Sequence, residues 1–580
     1  MAESDAQGRL RPEQTPDSGE AEQNANGNGN SNGNDAAARR RSIPRPRQTP
    51  TGTAAGATAL PTIDAGPAAA TPPSSGELAQ TEAVRAQTPT PAEAPNQRRR
   101  ASATRARAVT PSPRRERGLG GEDTPTSSAR DEAPPEAPAP QTPAPRRTGG
   151  ISPENTVFVS LCFEGPDVYS TAGGLGTRVT EFTESLAGLG YETHLIFVGD
   201  PNKPAVEDLV NGKLHLKRWS QWISRYYPNG VYDGEEHKLY DYNDSVPYHV
   251  YQEIAAPAIA AGKMVVIIGE DWHTAEAICR TSDLLHWHNL RHRCIIMWNC
   301  NSVMSLHRIN WGRLNYCATI TTVSRYMKHR LWEFGVNPLA IPNGIPSRYL
   351  EAVDQEQAAT LSSIMCHDDP DRLFLFKIGR FDPDKRWLMA VEAAARLKYS
   401  GHPISFVIRG GIEPHGGEVL NRARHLGLNV RDIEARRPSV EECLTLMREA
   451  GDADVYNLRF FVPTDFVRAC YAAADATLAN SGHEPFGLVG LEVMAAQGIA
   501  FTGSTGEDYA VSFENAVALE TDDPDEIVGY LLHIIRHPEE RDKIRRAGKR
   551  TAAEYVWEEV IDNLVGKLGY LARKQSIVLA

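Results

Sequence analysis

Two glutamates, Glu484 and Glu492, stand eight residues apart around the predicted start of a helix. The apolar run Ala476–Ala479 before them is typical of a buried strand. Pro485 suits the first turn of a helix, because its missing N–H costs little there. The free amides at such a helix N-terminus form a site for anions, phosphate in particular. The turn and its amides are predicted to involve Phe486, Gly487, Leu488 and Val489.

A carboxylate beside a phosphate site suits a ligand that joins a sugar to a diphosphate. Glu484 would accept hydrogen bonds from sugar hydroxyls, while the helix amides would hold the diphosphate. Glu492 lies about a turn and a half into the helix and would reach the ribose. The alternative is a capped helix with two solvated glutamates, and the spacing alone does not decide between these two interpretations.

Two cations, Arg380 and Lys385, follow the predicted strand 373–379 and are five residues apart. They can converge on one anion across a turn. A diphosphate that leaves a sugar gains negative charge as the bond breaks, and fixed positive charge lowers that barrier. The alternative is a pair of solvated surface cations, but a position at the carboxyl end of a strand favours a site. Gly410, which follows the next strand, is predicted to lie near the diphosphate or the base.

Glycines crowd the turn after the first predicted strand, 157–163, and these are Gly173, Gly174 and Gly176. Glycine there allows the backbone to approach a phosphate or a sugar closely. Many α/β proteins need glycine at this turn, so the pattern alone is weak. A second candidate segment follows the predicted strand 264–268 and contains Glu270, Asp271 and His273. The alternative for His273 is an ordinary residue at a helix start.

Strand and helix patterns alternate along the chain in two series, which predicts two parallel α/β sheets with a ligand crevice between them. The first series has strands predicted at 157–163, 192–198, 264–268, 294–298 and 318–323. The second has strands predicted at 373–379, 404–408, 457–462, 476–479 and 499–502. Between the first strands lies the aromatic-rich stretch 201–250, which is interpreted either as a surface for sugar rings or as a small separate core.

Composition sets the first 150 residues apart. They contain no aromatic residue, no Lys and no Cys, and they hold 21 of the 40 prolines. Such a segment cannot bury enough apolar surface to fold and is expected to be disordered. Its net charge is +2 against −12 for the whole chain, so the remainder is acidic, which argues against bulk nucleic-acid binding.

Eight cysteines without a Cys-x-x-Cys pair indicate neither a zinc site nor a disulfide framework. No apolar run reaches the roughly 18 residues of a membrane span. The N-terminus also lacks the apolar core of a signal peptide. A cytoplasmic protein without an integral membrane segment is therefore expected.

Glu484 and Glu492, with Pro-Phe-Gly directly after the first, resemble the Glu-x7-Glu motif of the retaining GT-B glycosyltransferases. The resemblance is to family 4 and to the related starch and glycogen synthases. Arg380 and Lys385 stand in the paired places of the phosphate clamp of that family. The Gly-Gly-Leu-Gly run at 173–176 resembles the glycine loop of the synthases, which usually carry a lysine where this chain has Thr171.

The segment that begins at Glu270 resembles the His-Ala-His-Asp-Trp-x-x-Ala segment of the synthases. In that register Asp271 matches the Asp, and Glu270 stands where the family has its active-site histidine. The resemblance implies that Glu270 takes over this contact with the sugar, that His273 replaces it, or that activity is altered. Catalytic roles are thereby assigned to Glu484, Arg380, Lys385, Glu270, Asp271 and His273.

The resemblance implies an α/β chain with the GT-B fold, in which two Rossmann-like domains face a central cleft behind a disordered N-terminal extension. The expected parts are the extension 1–150, an acceptor-side domain 151–345, a nucleotide-sugar domain 346–540 and terminal helices 541–580 that cross back to the first domain. The implied reaction is retaining transfer of a hexosyl unit, glucosyl first, from a nucleoside-diphosphate sugar to an α-glucan. No further cofactor and no metal are expected.

Three alternatives stay open at this point. The acceptor could instead be a small sugar, a sugar phosphate or a lipid. The chain could be a non-catalytic module that binds a nucleotide sugar or a glycan, which Glu270 and Thr171 motivate. A Rossmann oxidoreductase is the third, but its usual Gly-x-Gly-x-x-Gly with a ribose-binding acid is not evident.

Overall fold

The computed structural model of the chain describes residues 150–577. The expected disordered extension 1–150 therefore lies, except for Gly150, outside the described residues. Within the described range, strands and helices alternate and form two sheets, as the sequence predicts. No helix in this range is long and apolar enough to cross a membrane.

The first sheet contains β1 (Thr156–Leu161), β2 (Glu192–Val198), β3 (Val206–Leu209), β4 (Leu214–Trp219), β5 (Met264–Glu270), β6 (Cys294–Cys300), β7 (Thr319–Thr322) and β8 (Leu339–Ala340). Their order across the sheet is β3-β4-β2-β1-β5-β6-β7-β8. Neighbouring strands run parallel, except that β3 and β4 are antiparallel. Strands β1, β5 and β6 are buried along their whole length, as expected of a parallel sheet whose two faces are covered.

The helices of the first domain are α1 (Gly174–Gly188), α2 (Gln221–Ser224), α3 (Glu235–His249), α4 (Ala256–Ala260), α5 (Ala275–Trp287), α6 (Trp311–Cys317) and α7 (Arg325–Trp332). Helix α1 begins directly after Gly173 and buries Val179, Phe182 and Leu186, which recur at helical spacing. This arrangement puts the glycine loop at the carboxyl edge of β1.

The second sheet contains β9 (Leu373–Ile378), β10 (Ile404–Arg409), β11 (Val430–Ile433), β12 (Val455–Leu458), β13 (Ala476–Ala479), β14 (Ala500–Thr502) and β15 (Val517–Ala518). All pairs are parallel, in the order β11-β12-β10-β9-β13-β14-β15. Its helices are α8 (Gln355–Cys366), α9 (Trp387–Tyr399), α10 (His415–His425), α11 (Val440–Glu449), α12 (Thr464–Ala473), α13 (Leu488–Ala495) and α14 (Pro524–Arg536).

Two further helices, α15 (Pro538–Ala553) and α16 (Trp557–Lys574), end the described chain. Helix α16 packs against the first domain, where Trp557 and Leu564 share a buried cluster with Phe158 and Phe182. The indole N–H of Trp557 donates to Glu181 Oε2 at 3.1 Å. Gly344, in the linker between the sheets, leaves room for this indole, since a Cβ there would lie 2.6 Å from the ring.

Several strand boundaries differ by one or two residues from those that the sequence predicts, and two boundaries differ by more. Helix α13 begins at Leu488 and not at Pro485, because Gly487 has φ +80° and interrupts the helical backbone. The strand predicted at 457–462 is β12, which starts two residues earlier and ends at Leu458.

The expectation of a separate small core in 201–250 is wrong. Strand β4 pairs with β2 and so belongs to the main sheet, and Tyr242 is buried in the main core. Several aromatic side chains of the same stretch are exposed, among them Trp222, Tyr226 and Tyr240. The aromatic residues of this stretch therefore belong to β4, which lies between β3 and β2, and to the helices and turns that follow it, not to a satellite.

The contact of α16 with the first domain can be tested at Trp557. Trp557→Ala should lower the free energy of unfolding by about 3–5 kcal/mol, because a fully buried indole leaves a cavity. Tyr570→Ala, on the exposed side of the same helix, is the matched control and should change it by less than about 0.5 kcal/mol. Denaturant unfolding followed by circular dichroism measures both. Equal small effects would mean that α16 does not brace the first domain.

Candidate functional site

The carboxyl ends of β9 and β13, adjacent in the second sheet, bring two loops together. The ammonium of Lys385 bonds to Oε2 of Glu484. Both side chains are half-buried, at 29% and 18% exposed. The amide of Gly482 donates to the Asp384 carbonyl at 2.7 Å, which ties the two loops beneath this ion pair. Two residues that the sequence assigns to one site are thus in direct contact.

A third loop, 503–510, holds Glu484 in place. The Thr505 hydroxyl accepts from the Glu484 amide at 3.1 Å and donates to the Gly482 carbonyl at 2.9 Å. Gly506 has φ +78°, and a Cβ there would lie 1.8 Å from the Glu484 carbonyl oxygen. Sequence reasoning missed this loop, because it lies about twenty residues beyond the motif it supports. The glycines at 503 and 506 are the signal that could have found it.

Glu507, in the same loop, is a further acid that the sequence analysis missed. It is buried, and its Oε2 has no hydrogen-bond partner in the described part of the chain. Burial, together with the neighbouring charge of Glu484, raises the pKa of Glu507 well above its usual value. Its side chain also fills the space beside Gly487, where a Cβ would lie 2.7 Å from Glu507 atoms.

The turn before α13 is positioned by aromatic packing. Phe486 is buried against Tyr509 and Tyr555, so it fixes the turn and is not open to a ligand. The Tyr509 hydroxyl donates to the Gly487 carbonyl. Leu488 and Val489 begin the helix, and their side chains pack at the edge of the core.

Glu492 lies farther along α13 and faces a different partner. It accepts a hydrogen bond from the Tyr471 hydroxyl at 2.9 Å. Burial raises its pKa above the usual value of a glutamate. The predicted contact of Glu492 with a ribose stays a prediction.

Arg380 and Gly410 follow β9 and β10 as the sequence predicts. Arg380 is exposed, and its guanidinium is 3.6 Å from the Asp382 carboxylate. Gly410 is a packing requirement, because a Cβ there would lie 1.9 Å from the Phe381 ring. Of the two predicted cations, Lys385 is therefore bonded to Glu484, while Arg380 is exposed and lies near Asp382.

Beneath the ion pair lies a buried lysine, Lys377, that the sequence analysis passed over. Its ammonium donates to the Leu478 carbonyl at 2.9 Å and to Asn480 Oδ1 at 2.6 Å. Burial and the nearby Lys385 hold its pKa well below the usual value. A lysine inside the apolar strand Leu373–Ile378 was the available signal, and its bonds join β9 to β13 and to the loop that follows β13.

In the first domain, the amides of the glycine loop are bonded within the chain. Oε2 of Glu164 accepts from the amides of Ala172, Gly173 and Gly176 at 3.0, 3.2 and 3.1 Å. The Tyr232 hydroxyl donates to Oε1 of Glu164 at 2.5 Å. Gly174, between these glycines, is the first residue of α1. Sequence reasoning missed Glu164, although an acid directly after the first strand is a visible signal.

Thr171 stands where the resemblance has a lysine, and it closes the same loop. Its hydroxyl donates to the Gly165 carbonyl at 2.7 Å. The loop is therefore held by one carboxylate and one hydroxyl, and a lysine ammonium is absent from this position of the chain.

Glu270 ends β5 and is fully buried in a polar network. Its Oε1 lies 2.6 Å from Nη1 of Arg178, and its Oε2 accepts from Asn299 and Asn301 at 3.0 and 2.7 Å. Nε of Arg178 donates to Asn343 Oδ1 at 2.6 Å, which connects the network to the linker between the sheets. Both oxygens of Glu270 are thus bonded in the structure, and a contact with the sugar stays a prediction.

Asp271 and His273 follow Glu270 and are also buried. Asp271 has φ +60°; its Oδ2 accepts from the Ser302 hydroxyl at 2.9 Å, and its Oδ1 has no partner among the described residues. Burial raises the pKa of Asp271 to about 7. His273 stacks on Phe163 with centroids 4.4 Å apart, and burial lowers its pKa although Glu235 lies 2.7 Å from Nε2.

The Arg178–Glu270 pair can be tested by a double-mutant cycle. Glu270→Ala should lower the free energy of unfolding by about 3–5 kcal/mol, because it leaves the Arg178 guanidinium buried without its partner. The double variant with Arg178→Ala should lose less than the sum of the single losses. The exposed pair Arg422–Glu392 is the control, with a coupling of at most about 1 kcal/mol. Additive losses at Arg178 and Glu270 would contradict a tight buried pair.

Asp271 should make stability depend on pH. Its folded pKa of about 7 lies above the usual 3.8, so the folded chain keeps a proton that the unfolded chain loses. Stability from this group is therefore greatest below about pH 4 and falls by on the order of 4 kcal/mol as the pH rises to about 7. Asp271→Asn should remove this fall.

Unfolding free energies of Asp271→Asn and the parent chain between pH 4 and 8 test this prediction. The difference between the two is the quantity to compare, because burial also raises the pKa of Glu181 to about 7. Asp371→Asn, at an exposed position, is the control and should follow the parent. Parallel curves for Asp271→Asn and the parent would contradict the prediction.

Part of the chain matches a family of known proteins. Residues 367–551 match the model of the family described as "Glycosyl transferases group 1". A D-inositol 3-phosphate glycosyltransferase of Thermomonospora curvata is 25% identical over 202 residues, 34% of this chain and 42% of the relative. A GDP-mannose-dependent alpha-(1-6)-phosphatidylinositol dimannoside mannosyltransferase of Mycobacterium tuberculosis is 25% identical over 203 residues, 35% of this chain and 45% of the relative. The chain thus spans less than half the length of these two curated relatives.

Two solved structures extend the likeness to both domains. Sucrose-phosphate synthase of Thermosynechococcus elongatus aligns with a TM-score of 0.51 and 17% identity, covering 72% of this chain and 99% of that one. The catalytic domain of starch synthase IV from Arabidopsis thaliana, bound to ADP and acarbose, aligns with a TM-score of 0.51 and 14% identity over 72% and 99%. The described chain has the GT-B fold, and its second domain carries the match to glycosyl transferases group 1.

Proposed function

We propose that the chain is a retaining glycosyltransferase, which moves a hexosyl unit, glucosyl first, from a nucleoside-diphosphate sugar to an acceptor hydroxyl. The observation that carries this proposal is the Lys385–Glu484 pair at the carboxyl ends of β9 and β13, beside the N-terminus of α13. The pair lies inside the matched segment 367–551. A fixed cation, an acceptor for hydroxyls and a helix terminus together suit a sugar diphosphate.

The two members of the pair take different parts of the donor. Lys385, with Arg380, binds the diphosphate, and Glu484 accepts hydrogen bonds from the sugar hydroxyls. Binding therefore replaces the Lys385–Glu484 contact with two charge-assisted contacts to one ligand, each contributing roughly 1.5–3 kcal/mol net. Thr505 holds the Glu484 backbone during this exchange.

The chemical step follows from the same charges. The bond between the anomeric carbon and the diphosphate oxygen breaks, and its electron pair leaves with the diphosphate. Arg380, Lys385 and the amides of α13 stabilise that charge, while the sugar passes through an oxocarbenium-like transition state. The acceptor hydroxyl attacks from the same face and loses its proton to the departing phosphate. This keeps the anomeric configuration and needs no protein nucleophile, no metal and no further cofactor.

An α-glucan is the proposed acceptor. The motifs of the first domain at 173–176 and 270–275 support it, because their amino-acid sequences resemble those of glycogen synthases. The Glu164 carboxylate on the glycine-loop amides also supports a neutral acceptor, since it adds negative charge where a phosphorylated acceptor would approach. All eight cysteines are unpaired in the structure, which supports action in the cytoplasm.

A smaller or lipid-linked acceptor is the second candidate. It is supported by the names of the curated relatives, which act on D-inositol 3-phosphate and on phosphatidylinositol dimannoside. A binding module without turnover is the third, supported by Glu270, whose two oxygens are bonded to Arg178 and to the amides of Asn299 and Asn301.

Release of nucleoside diphosphate from a panel of UDP-, ADP- and GDP-sugars tests the proposal. Each donor is offered with glycogen, with D-inositol 3-phosphate and with glucose 6-phosphate. Release that depends on glycogen, together with an α-linked product seen by nuclear magnetic resonance, is the expected result. Binding of a donor without release in any combination would favour the binding module.

Three variants test whether Arg380 and Lys385 bind the diphosphate while Glu484 binds the sugar. Arg380→Ala and Lys385→Ala should weaken nucleoside diphosphate by on the order of ten- to hundred-fold, because each loses a charge-assisted bond. Glu484→Gln should bind nucleoside diphosphate as well as the parent or better, because Lys385 loses a competing partner. Transfer by Glu484→Gln should fall sharply.

Calorimetric titration with diphosphate and turnover with donor measure these effects side by side. Arg422→Ala, which removes an exposed cation paired with Glu392, is the control and should behave as the parent. Equal loss of diphosphate binding in all three variants would mean that Glu484 is structural, and the assignment of the sugar contact would be withdrawn.

A further inference from the structure

Three side chains of metal-binding type lie together on one face of the first sheet, far along the strands from the glycine loop. His194 of β2 and His215 of β4 are direct neighbours across this parallel pair. Glu192 is two residues before His194, so both point to the same face. One ligand atom from each of the three lies within 4.8 Å of the others. Only the sheet register brings them together, since 21 residues separate the two histidines.

His194 is the unusual member of this cluster. The residue is 8% exposed, and neither ring nitrogen has a hydrogen-bond partner in the described part of the chain. The nearest acid, Oε1 of Glu192, is 3.5 Å from Nε2. A buried polar group without a partner is costly, and so it calls for a ligand or another reason to exist.

The other two members have the surroundings of metal ligands. Nδ1 of His215 is 2.7 Å from Asp208 Oδ1, which leaves Nε2 available. A carboxylate on the far nitrogen is the usual support of a metal-bound histidine, because it fixes the ring and raises its basicity. Glu192 is bonded by Lys263 through Oε2 at 2.6 Å, which leaves Oε1 on the side of His194.

We propose that His194, His215 and Glu192 bind a divalent transition-metal ion of the zinc class and thereby join β2 to β4. Two imidazoles and one carboxylate are a common zinc set, with water in the fourth position, whereas Mg²⁺ prefers oxygen ligands. The cluster lies near the start of both strands, at the edge of the sheet opposite the glycine loop. The ion therefore lies away from the glycine loop, and this inference does not depend on the proposed transferase activity.

Binding requires a local rearrangement. The two imidazoles stack with centroids 4.6 Å apart and an angle of 22° between planes. A tetrahedral zinc ion holds its ligand atoms about 3.3 Å apart and lies in the plane of each imidazole ring that binds it. One of the two stacked rings therefore turns about its Cβ–Cγ bond. The cluster has charges of both signs around it. Lys263 bonds to Glu192, and Lys217 lies 3.0 Å from His249. Glu192 and Asp208 supply the negative charge.

The chain offers a second cluster for comparison, formed by His533, His537 and Glu540. Its groups already have partners, because His533 Nε2 is 2.8 Å from Glu540 and His537 Nδ1 is 2.7 Å from the His533 carbonyl. Both histidines are exposed. This cluster is the matched alternative in the experiment.

The experiment titrates the full chain, freed of metal by a chelator, with ZnCl₂ by calorimetry. The titration uses a His537→Ala background, so that the second cluster is disabled. One equivalent of Zn²⁺ should bind and raise the melting temperature, and MgCl₂ should do neither. His194→Ala or His215→Ala should abolish this equivalent, and Asp208→Asn should weaken it by on the order of ten- to hundred-fold.

His286→Ala, at an exposed histidine outside both clusters, is the control and should bind Zn²⁺ as the background does. His215 is only half-buried, so His215→Ala should still fold. Circular dichroism of this variant and of the background, both without metal, checks this. Zn²⁺ binding that survives both His194→Ala and His215→Ala would overturn the proposal. Failure of the folded background to bind one equivalent of Zn²⁺ would overturn it as well.

Discussion

The ion pair between Lys385 and Glu484 is the interaction on which the candidate site depends. It joins the loops after two neighbouring strands, and both loops are anchored below it by Lys377 and by the Gly482–Asp384 contact. A salt bridge at a surface contributes little to stability, but this pair is half-buried, and hydrogen bonds of Lys377, Gly482 and Thr505 hold the loops that carry it. Its value is therefore positional, because it keeps a cation and a carboxylate at a fixed separation beside a helix terminus.

The first domain has a comparable constraint in Arg178. Its guanidinium bonds to Glu270 and to Asn343, and it also lies 5.9 Å from the centroid of the Trp557 ring. One side chain thus contacts the end of β5, the linker between the sheets and the last helix. Because Arg178 bonds to both Asn343 and Glu270, a displacement of Asn343 in the linker would disturb the contact with Glu270.

The sequence predicts the sheets well because apolar runs mark parallel strands, and the glycines and prolines mark their ends. The contacts among side chains were less accessible. Glu164 was visible as an acid after a strand, yet only the turn geometry brings its oxygen to three amides. His194 and His215 meet through the pairing of β2 with β4, which the pattern of either strand alone does not contain.

The start of α13 shows the same limit in a single turn. Pro485 is a reasonable first residue for a helix by its own chemistry. The helix begins three residues later because Phe486 is buried against Tyr509, and Gly487 takes a left-handed backbone to allow it. Tertiary packing therefore sets the start of α13, and the free amides are those of the residues from Leu488 onward.

The amides of the glycine loop are bonded to Glu164 and not free for a donor phosphate. Three of its amides donate to Glu164, so the carboxylate already neutralises their partial positive charge within the first domain. In the second domain, Arg380 is exposed and paired only loosely, at 3.6 Å from Asp382, and α13 begins without a side-chain cap. Under the proposed function, the cost of separating charge as the diphosphate leaves therefore falls mainly on the second domain.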